Sequence, residues 1–312
     1  MAFDFSTVVA PFRMQPGLRR MAAPATHLTP TGAGDAVVHE KLCVLRRCAD
    51  EALLVTPGFD AAAALDALAA HAAAAHPAAF VRDALGAWSA PALGWSLQGG
   101  ELRGRGAPDI GDCLRALPAC WRLAGLLSLA FAEDLALVDG ASGRIPWMAI
   151  CLPSRWAPQD KIGLHFAAIH AGVAEGQALV AAAEALVRLV TAGEHWERSV
   201  WTITASPRRD GHPRRVPDPG WPVGADPEAL AARAFFRTER QTFLPLPQLR
   251  LAVFTIRVEV QPLAVALTSA DAAARVHAAL QSMSPAVLAY RGLAPARDGL
   301  LRWLEARRGA AQ

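Results

Sequence analysis

The stretch that decides the fold is ERQTFLPLP, residues 239–247, together with the strand predicted directly after it over residues 249–260. Alternate positions of that strand are apolar and would share one face of a sheet: Ala252, Phe254, Ile256, Val258 and Val260. The opposite face would carry Thr255, Arg257 and Glu259. A guanidinium group set in a strand beside an apolar face is costly unless an anion meets it. We therefore expect Arg240 and Arg257 to bind an anionic partner.

The composition predicts a soluble cytoplasmic protein. The chain has 312 residues, enough for one large domain or two small ones, and 53% of them are hydrophobic. Its most apolar run, residues 123–132, is too short to cross a bilayer, and no charged leader followed by an apolar segment opens the chain. A net charge of +3 argues against nucleic-acid binding, and the arginines within residues 208–215 fall in a Pro- and Gly-rich segment typical of a solvated loop.

Several common catalytic and metal-binding patterns are absent from the sequence. The five cysteines are Cys43, Cys48, Cys113, Cys120 and Cys151. Their odd number and the lack of a Cys-x-x-Cys pair argue against a disulfide framework, a zinc ribbon or an iron–sulfur cluster. Residues 104–106, GRG, begin a dinucleotide-binding fingerprint, but Asp109 stands where its third glycine belongs. No Walker loop and no Gly-x-Ser-x-Gly elbow occurs.

Hydrophobic periodicity and turn residues predict helices first, then strands, then helices again. Helices are predicted over residues 35–54, 60–76, 77–85, 112–133, 175–191, 271–282 and 297–308, with a break at Pro118. Strands are predicted over residues 134–138, 144–152, 198–204, 235–242 and 249–260, the first two forming a hairpin. We place Lys41, Arg46 and Arg47 on the exposed side of the first helix.

This order of elements indicates an α+β fold with an antiparallel sheet and flanking helices, built as one unit without a clear linker. Residues 1–132 would form a mainly helical N-terminal part, and residues 133–263 would form the sheet core. Residues 264–312 would add the C-terminal helices.

A dense block in the middle of the chain holds the best candidate for a metal ligand. The block joins CLPSRW, residues 151–156, to a Lys-x-Gly at residues 161–163 and to AIHAGV, residues 168–173. Apolar neighbours surround His170 in this sequence and favour the neutral imidazole, which is the form that binds metals. A hydrogen-bonded core histidine is the alternative at this position.

These blocks together resemble the alpha-subunit family of haem-dependent oxidative N-demethylases. The resemblance covers nearly the whole chain, in the same order. The similar segments are residues 11–18, 133–135, 152–156, 161–173, 201, 239–247, 254–257, 262–263 and 290–293. The pairing of Pro-Ser-x-Trp, Lys-x-Gly and Ile-His with Glu-Arg-Gln-Thr and Phe-Thr-Ile-Arg is the specific part of the pattern.

The resemblance implies a PAS-like core that binds haem b, with residues 1–312 forming one haem-binding domain. It further implies a mono-oxygenase that uses dioxygen to oxidise a methyl group of a small secondary or tertiary amine, such as dimethylamine, and releases formaldehyde. Electrons would come from separate flavin and iron–sulfur reductase subunits. Neither a nucleic acid nor a membrane is an expected partner.

The resemblance also implies roles for individual residues. His170 falls on the motif histidine and would be the axial ligand of the haem iron, with His165 as its competitor. Guanidinium groups match carboxylates in a two-pronged manner, so the candidates for the haem propionates are Arg155, Arg240 and Arg257. Trp156 and Trp201 would form walls of the haem site.

Each assignment has a structural alternative. Arg240 would pair with Glu239 or Glu259, and Arg155 with Asp160, if these arginines serve only the fold. Both tryptophans would then belong to the hydrophobic core.

The sequence also departs from the family at several positions. Val200 stands where the family commonly has asparagine before Trp201, and Phe243 begins an apolar run where the family carries charge. These departures leave open a non-catalytic haem-binding or small-ligand-binding PAS-like module, or a degenerate member of the family.

Overall fold

The structure is a computed structural model that describes residues 3–23 and 25–309, the last of these by its backbone alone. The strands are β1 Arg19–Arg20, β2 Leu53–Val55, β3 Val81–Arg82, β4 Trp88–Ala90, β5 Trp95–Gln98, β6 Glu101–Gly104, β7 Asp134–Asp139, β8 Trp147–Ala149, β9 Trp196–Thr204, β10 Phe235–Leu246 and β11 Leu251–Pro262. The helices are α1 Ala36–Arg47, α2 Ala49–Ala52, α3 Ala62–Ala75, α4 Pro108–Ala116, α5 Arg122–Ala130, α6 Phe166–His170, α7 Gln177–Ala181, α8 Ala183–Thr191, α9 Pro227–Ala232, α10 Leu263–Ala266, α11 Ala270–Gln281, α12 Pro285–Tyr290 and α13 Arg297–Gly309. None of these helices has the length and apolar character needed to cross a bilayer.

A seven-stranded antiparallel sheet with the strand order β1-β9-β10-β11-β7-β8-β2 forms the centre of the molecule. Its longest pair is the β10–β11 hairpin, in which Phe235 lies opposite Pro262 and Leu246 lies opposite Leu251. The deciding stretch, residues 239–247, lies mostly inside β10, which is longer than the strand predicted over residues 235–242, and it directly precedes β11 as expected. The predicted α+β class with an antiparallel sheet is confirmed.

Most of the predicted elements occur, with two notable differences. The helix predicted over residues 112–133 is broken at Pro118 into α4 and α5, as expected. The prediction of a helix over residues 77–85 is wrong, because residues 81–82 form strand β3, which pairs with β4. That pairing belongs to a second, four-stranded antiparallel sheet, β3-β4-β5-β6, within the part predicted to be mainly helical. Buried Trp88 and Trp95 anchor the second sheet.

The two faces of the large sheet are covered differently. On one face, Leu135 and Leu137 of β7 belong to a buried cluster that also includes side chains of α1, α3 and α5. On the other face, Ala136 and Val138 line a cavity whose far side is formed by α6 and α8. Because side chains alternate along a strand, the register decides which residues can reach that cavity. A second cluster surrounds α11, α12 and α13.

Lys41 is buried, so its predicted place on the exposed side of α1 is wrong. Its Nζ donates to the backbone oxygens of Glu133 at 2.6 Å and Phe131 at 3.1 Å, and lies 3.4 Å from Asp134 Oδ1. Burial raises the pKa of both Glu133 and Asp134, while the Lys41 ammonium opposes that rise. This charge cluster connects α1 to the start of β7.

Replacing Lys41 by alanine is expected to destabilise the protein by about 3–5 kcal/mol, because Asp134 would remain as a buried charge without its partner. Urea denaturation measures the change in the free energy of unfolding. The matched control is Arg46→Ala on an exposed position of the same helix, which should change it by less than about 0.5 kcal/mol. Equal effects of the two substitutions would contradict a structural role for the buried ammonium.

Candidate functional site

A cavity of about 490 Å³ lies between the β9-β10-β11-β7 face of the sheet and helices α6 and α8. Phe243, Phe254 and Ile256 line its floor, and Val187 and Val190 of α8 line its roof. Three further segments close its sides, namely the arm around residues 14–18, the loop around residues 154–156 and the loop around residues 206–211. This volume lies within the range that drug-sized ligands and cofactors occupy.

The floor of the cavity changes from apolar to polar along the strands. Residues paired across strands share a face, so the register places Phe243 beside Phe254 at the apolar end. Arg237 of β10 lies beside Thr202 of β9 at the polar end. Glu239 lies between them. A bound molecule would therefore place its apolar part under α8 and its charged groups toward the loops.

His170 ends α6 and lines the cavity. Its Nδ1 lies 2.8 Å from the backbone oxygen of Phe166, so Nδ1 carries the hydrogen and Nε2 keeps a free lone pair. Burial lowers the pKa of His170, and the nearby cations Arg198 and Lys161 lower it further, although the bond to Phe166 opposes them. The side chain is therefore a neutral imidazole oriented by its other nitrogen, as metal-binding histidines are.

His165, the competing candidate, is engaged at both nitrogens. Its Nδ1 accepts a hydrogen bond of 3.1 Å from the backbone nitrogen of Ala167 and thereby caps α6. Its Nε2 lies 3.1 Å from Glu184 Oε1. His165 is also not among the described residues that line the cavity. The contacts of this side chain explain the geometry of α6 and leave no nitrogen for a metal.

Arg240 and Arg257 lie on the face of the sheet away from the cavity. They are opposite each other across β10 and β11, in the alternation that excludes Phe254 and Ile256. Arg240 donates to Glu197 Oε2 at 2.8 and 2.9 Å and to the Thr26 backbone oxygen at 2.7 Å. The anionic partner expected of this guanidinium is thus a side chain of β9.

Arg257 pairs with Glu259, two residues farther along its own strand. The structure therefore does not bring Arg257 to the cavity, just as it does not bring Arg240 there. The structural alternative of an ion pair holds for both arginines, although Arg240 pairs with Glu197 and not with either glutamate suggested by the sequence.

Arg155 and the two predicted tryptophans do line the cavity. Arg155 is half exposed, and its Nη1 lies 3.3 Å from Asp218 Oδ2 rather than near Asp160. Trp156 packs against the main core from the cavity side. Trp201 reaches the edge of the cavity but stacks on Phe236, with ring centroids 5.8 Å apart.

Arg198 is the most informative side chain that sequence reasoning missed. It lies on the cavity face of β9, opposite Gln241. Its guanidinium makes no hydrogen bond or ion pair with the residues that the structure describes, and its Nε is buried without a partner. Burial lowers the pKa of Arg198, and Glu239 opposes that effect. The period-two pattern of residues 198–204 places Arg198 on the same face as Val200 and Thr202. Only the register with β10 shows that this face is the one toward the cavity.

Arg237 donates hydrogen bonds to two loops that border the cavity, those around residues 154–156 and 206–211. Its Nε donates to Ser154 Oγ at 2.7 Å, and its other nitrogens donate to the backbone oxygens of Arg208 at 3.1 Å and Arg209 at 2.7 Å. Arg209 in turn lies 2.7 Å from Glu40. The segment predicted to be a solvated loop is therefore docked onto the molecule and forms part of the wall of the cavity.

A family model described as haem-dependent oxidative N-demethylase, alpha subunit-like, matches residues 36–301. The chain belongs to this family. The match includes His170, Arg198 and the β10–β11 hairpin. The family name indicates dependence on haem, an oxidative enzyme and an assembly of more than one subunit.

The residues of the cavity fit the haem of this family in three respects. The volume accommodates a large planar group, and the apolar end under α8 suits a porphyrin. His170 offers an oriented, neutral nitrogen. Arg198 offers a guanidinium without a partner among the described residues, as an acid arm of the cofactor requires.

A second cleft, on the opposite face of the sheet, brings histidines together. His27 Nδ1 lies 2.8 Å from Thr242 Oγ1, and its Nε2 contacts His195 Nδ1. The ring of His71 lies 5.1 Å from that of His27, centroid to centroid. No group of three metal-ligating side chains is arranged to hold a metal ion in the described part of the chain. Burial, reinforced by His71 and His195, lowers the pKa of His27 to about 3.

The depressed pKa of His27 predicts a pH-dependent stability. The usual pKa of a histidine, 6.5, applies to His27 in the unfolded chain, whereas its pKa in the folded chain is about 3. Between these two pH values His27 is protonated in the unfolded chain and neutral in the folded one. The free energy of unfolding should therefore fall by up to about 1.4 kcal/mol for each pH unit below 6.5. Urea denaturation at pH 7 and pH 5 should show a smaller loss for His27→Gln than for the unsubstituted protein. The exposed control His39→Gln should not reduce the loss; equal losses in all three proteins would contradict this account.

Proposed function

We propose that this chain is the haem-binding subunit of an oxidative N-demethylase. In this proposal the sheet is PAS-like, residues 1–312 form one haem-binding domain, and haem b occupies the cavity under α8. The enzyme is of mono-oxygenase type and acts on a methyl group of a small secondary or tertiary amine. The observation that carries the proposal is His170, which lines a large cavity and whose Nε2 has no hydrogen-bond partner among the described residues.

His170 would be the axial ligand of the haem iron. The bond from its Nδ1 to the Phe166 backbone oxygen fixes the ring and makes Nε2 the better donor atom. Lys161 supports the same short helix, because its Nζ donates to the backbone oxygen of Ile169 at 2.9 Å. These contacts hold the imidazole in place before the cofactor arrives.

Arg198 and Arg155 would neutralise the acid arms of the haem. Arg198 has no competing partner in the described part of the chain, whereas Arg155 would exchange its half-exposed pair with Asp218, which contributes little to stability. They take the place of Arg240 and Arg257, whose side of the sheet faces away from the cavity. Trp156 and the edge of Trp201 would contact the cofactor.

When bound, haem would supply the dioxygen-dependent oxidation of the methyl group. The protein excludes water from the apolar end of the cavity with side chains such as Val187, Val190 and Phe254. Its polar end, around Glu239, would orient the amine. A dry apolar region next to a charged one would let the amine nitrogen bind at the polar end while its methyl group faces the apolar end.

Partner subunits would deliver the electrons. The alpha-subunit description of the family supports separate partners, and we propose that these are flavin and iron–sulfur reductase subunits acting with this chain in the cytoplasm. A non-catalytic haem-binding module is the second candidate, favoured by Val200 in place of the family's asparagine beside the cavity. The two candidates differ in formaldehyde release from an N-methyl amine when the haem-loaded protein receives dioxygen and electrons.

The first test is the absorption spectrum of protein expressed with a haem precursor. We expect a Soret band that His170→Ala removes or strongly shifts, because the substitution deletes the axial ligand. The matched control His165→Ala should retain the spectrum, although α6 loses its cap. A colourless protein, or a spectrum lost only with His165→Ala, would contradict the proposal.

A second test concerns the acid arms of the cofactor. Arg198→Gln should weaken haem binding by about tenfold to a hundredfold, the effect of losing a hydrogen bond between charged groups. Arg257→Gln is the matched control on the opposite face of the sheet and should leave the haem affinity unchanged. Titration of haem into the haem-free variants measures the affinity. A larger loss with Arg257→Gln would restore the assignment made from sequence.

A further inference from the structure

The polar end of the cavity carries far more positive than negative charge. The cationic lining side chains are Arg155, Lys161, Arg198, Arg208, Arg237 and Arg291. Among the described lining residues Glu239 is the single carboxylate. In the proposed complex the two acid arms of the haem would compensate Arg198 and Arg155. A positive excess remains, and it would repel a substrate whose only charge is an ammonium group.

Arg291 is built to receive an anion at this end. Its Nη1 donates to the Trp201 backbone oxygen, and its guanidinium carbon lies 4.5 Å from the ring centroid of Phe12 and 5.8 Å from that of Trp201. These contacts fix the plane of the guanidinium. Its Nε is buried and has no hydrogen-bond partner among the described residues. Burial lowers the pKa of Arg291 to about 10, so the group remains charged at neutral pH.

Glu239 supplies the complementary charge. Its Oε2 accepts a hydrogen bond of 2.6 Å from Gln241 Nε2, and it forms no ion pair with the described residues. Glu239 lines the same cavity as Arg198, Arg291 and Tyr290. A carboxylate held in this way can receive an ammonium group while a guanidinium beside it receives a carboxylate.

We propose that the substrate is an N-methylated amino acid, whose carboxylate binds Arg291 and whose ammonium binds Glu239. This proposal rests on the proposed N-demethylase function and narrows its substrate class from simple amines to zwitterions. The net reaction inserts one oxygen atom of dioxygen into a methyl C–H bond, and two electrons and two protons from the reductase partner convert the other atom to water. Cleavage of the C–N bond then gives the shorter amino acid and formaldehyde.

The test compares two probes that differ only in the carboxylate: N-methylglycine and N-methylethylamine. Equilibrium dialysis against haem-loaded protein should show that N-methylglycine binds about tenfold or more tightly. Arg291→Gln should reduce that ratio to about one, and the exposed control Arg302→Gln should preserve it. Glu239→Gln should weaken both probes by a similar factor. If Arg291→Gln fails to fold, the ratio of the two affinities in the unsubstituted protein still decides the proposal.

Equal or weaker binding of N-methylglycine by the unsubstituted haem-loaded protein would overturn the proposal, as would a ratio that survives Arg291→Gln. Either result, in a protein that keeps the His170-dependent spectrum and releases formaldehyde from N-methylethylamine, would leave the N-demethylase function standing. A protein that never acquires the spectrum would instead refute the underlying function.

Discussion

The alternation of side chains along β9, β10 and β11 is the constraint on which the rest of the structure depends. Residues that lie opposite each other on neighbouring strands point to the same face of the sheet. The register of the three strands therefore divides their charged residues into two groups, one on each face. One group, containing Arg240 and Arg257, forms ion pairs away from the cavity. The other, containing Arg198, Arg237 and Glu239, forms the polar end of the cavity.

The cavity also depends on segments that are remote in sequence. Arg237 holds two loops against the sheet by donating to their oxygen atoms, and the buried Lys41 cluster holds α1 against the neighbouring strand. Neither arrangement uses an exposed ion pair, which would contribute little. Beside these segments, the buried Nε of Arg198 has no hydrogen-bond partner among the residues that the structure describes.

Sequence reasoning recovered the elements whose signal is local. The β10–β11 pair and the break near Pro118 both follow from neighbouring residues. It failed where the answer depends on the tertiary structure. The alternation correctly placed Arg257 and Phe254 on opposite faces of the sheet. Nothing in the sequence shows that the cavity lies on the face that carries Phe254.

The burial of the Lys41 charge could not be predicted from the sequence either, because it also depends on the tertiary structure. Lys41 occupies a position that resembles the exposed face of α1. Its burial is explained by the Asp134 carboxylate and by the backbone oxygens of Phe131 and Glu133, which are distant in sequence. The four-stranded arrangement of residues 81–104 was not predicted, because its strands have two to four residues each, too few for a periodic signal.

The central claim is that haem occupies the Phe254 face of the sheet with His170 as its ligand. A crystal structure of the haem-loaded protein tests it most directly. The account predicts the iron bonded to His170 Nε2 under α8, with Arg198 contacting a propionate. Haem bound in the His27 cleft on the opposite face, or His170 turned away from the iron, would contradict it.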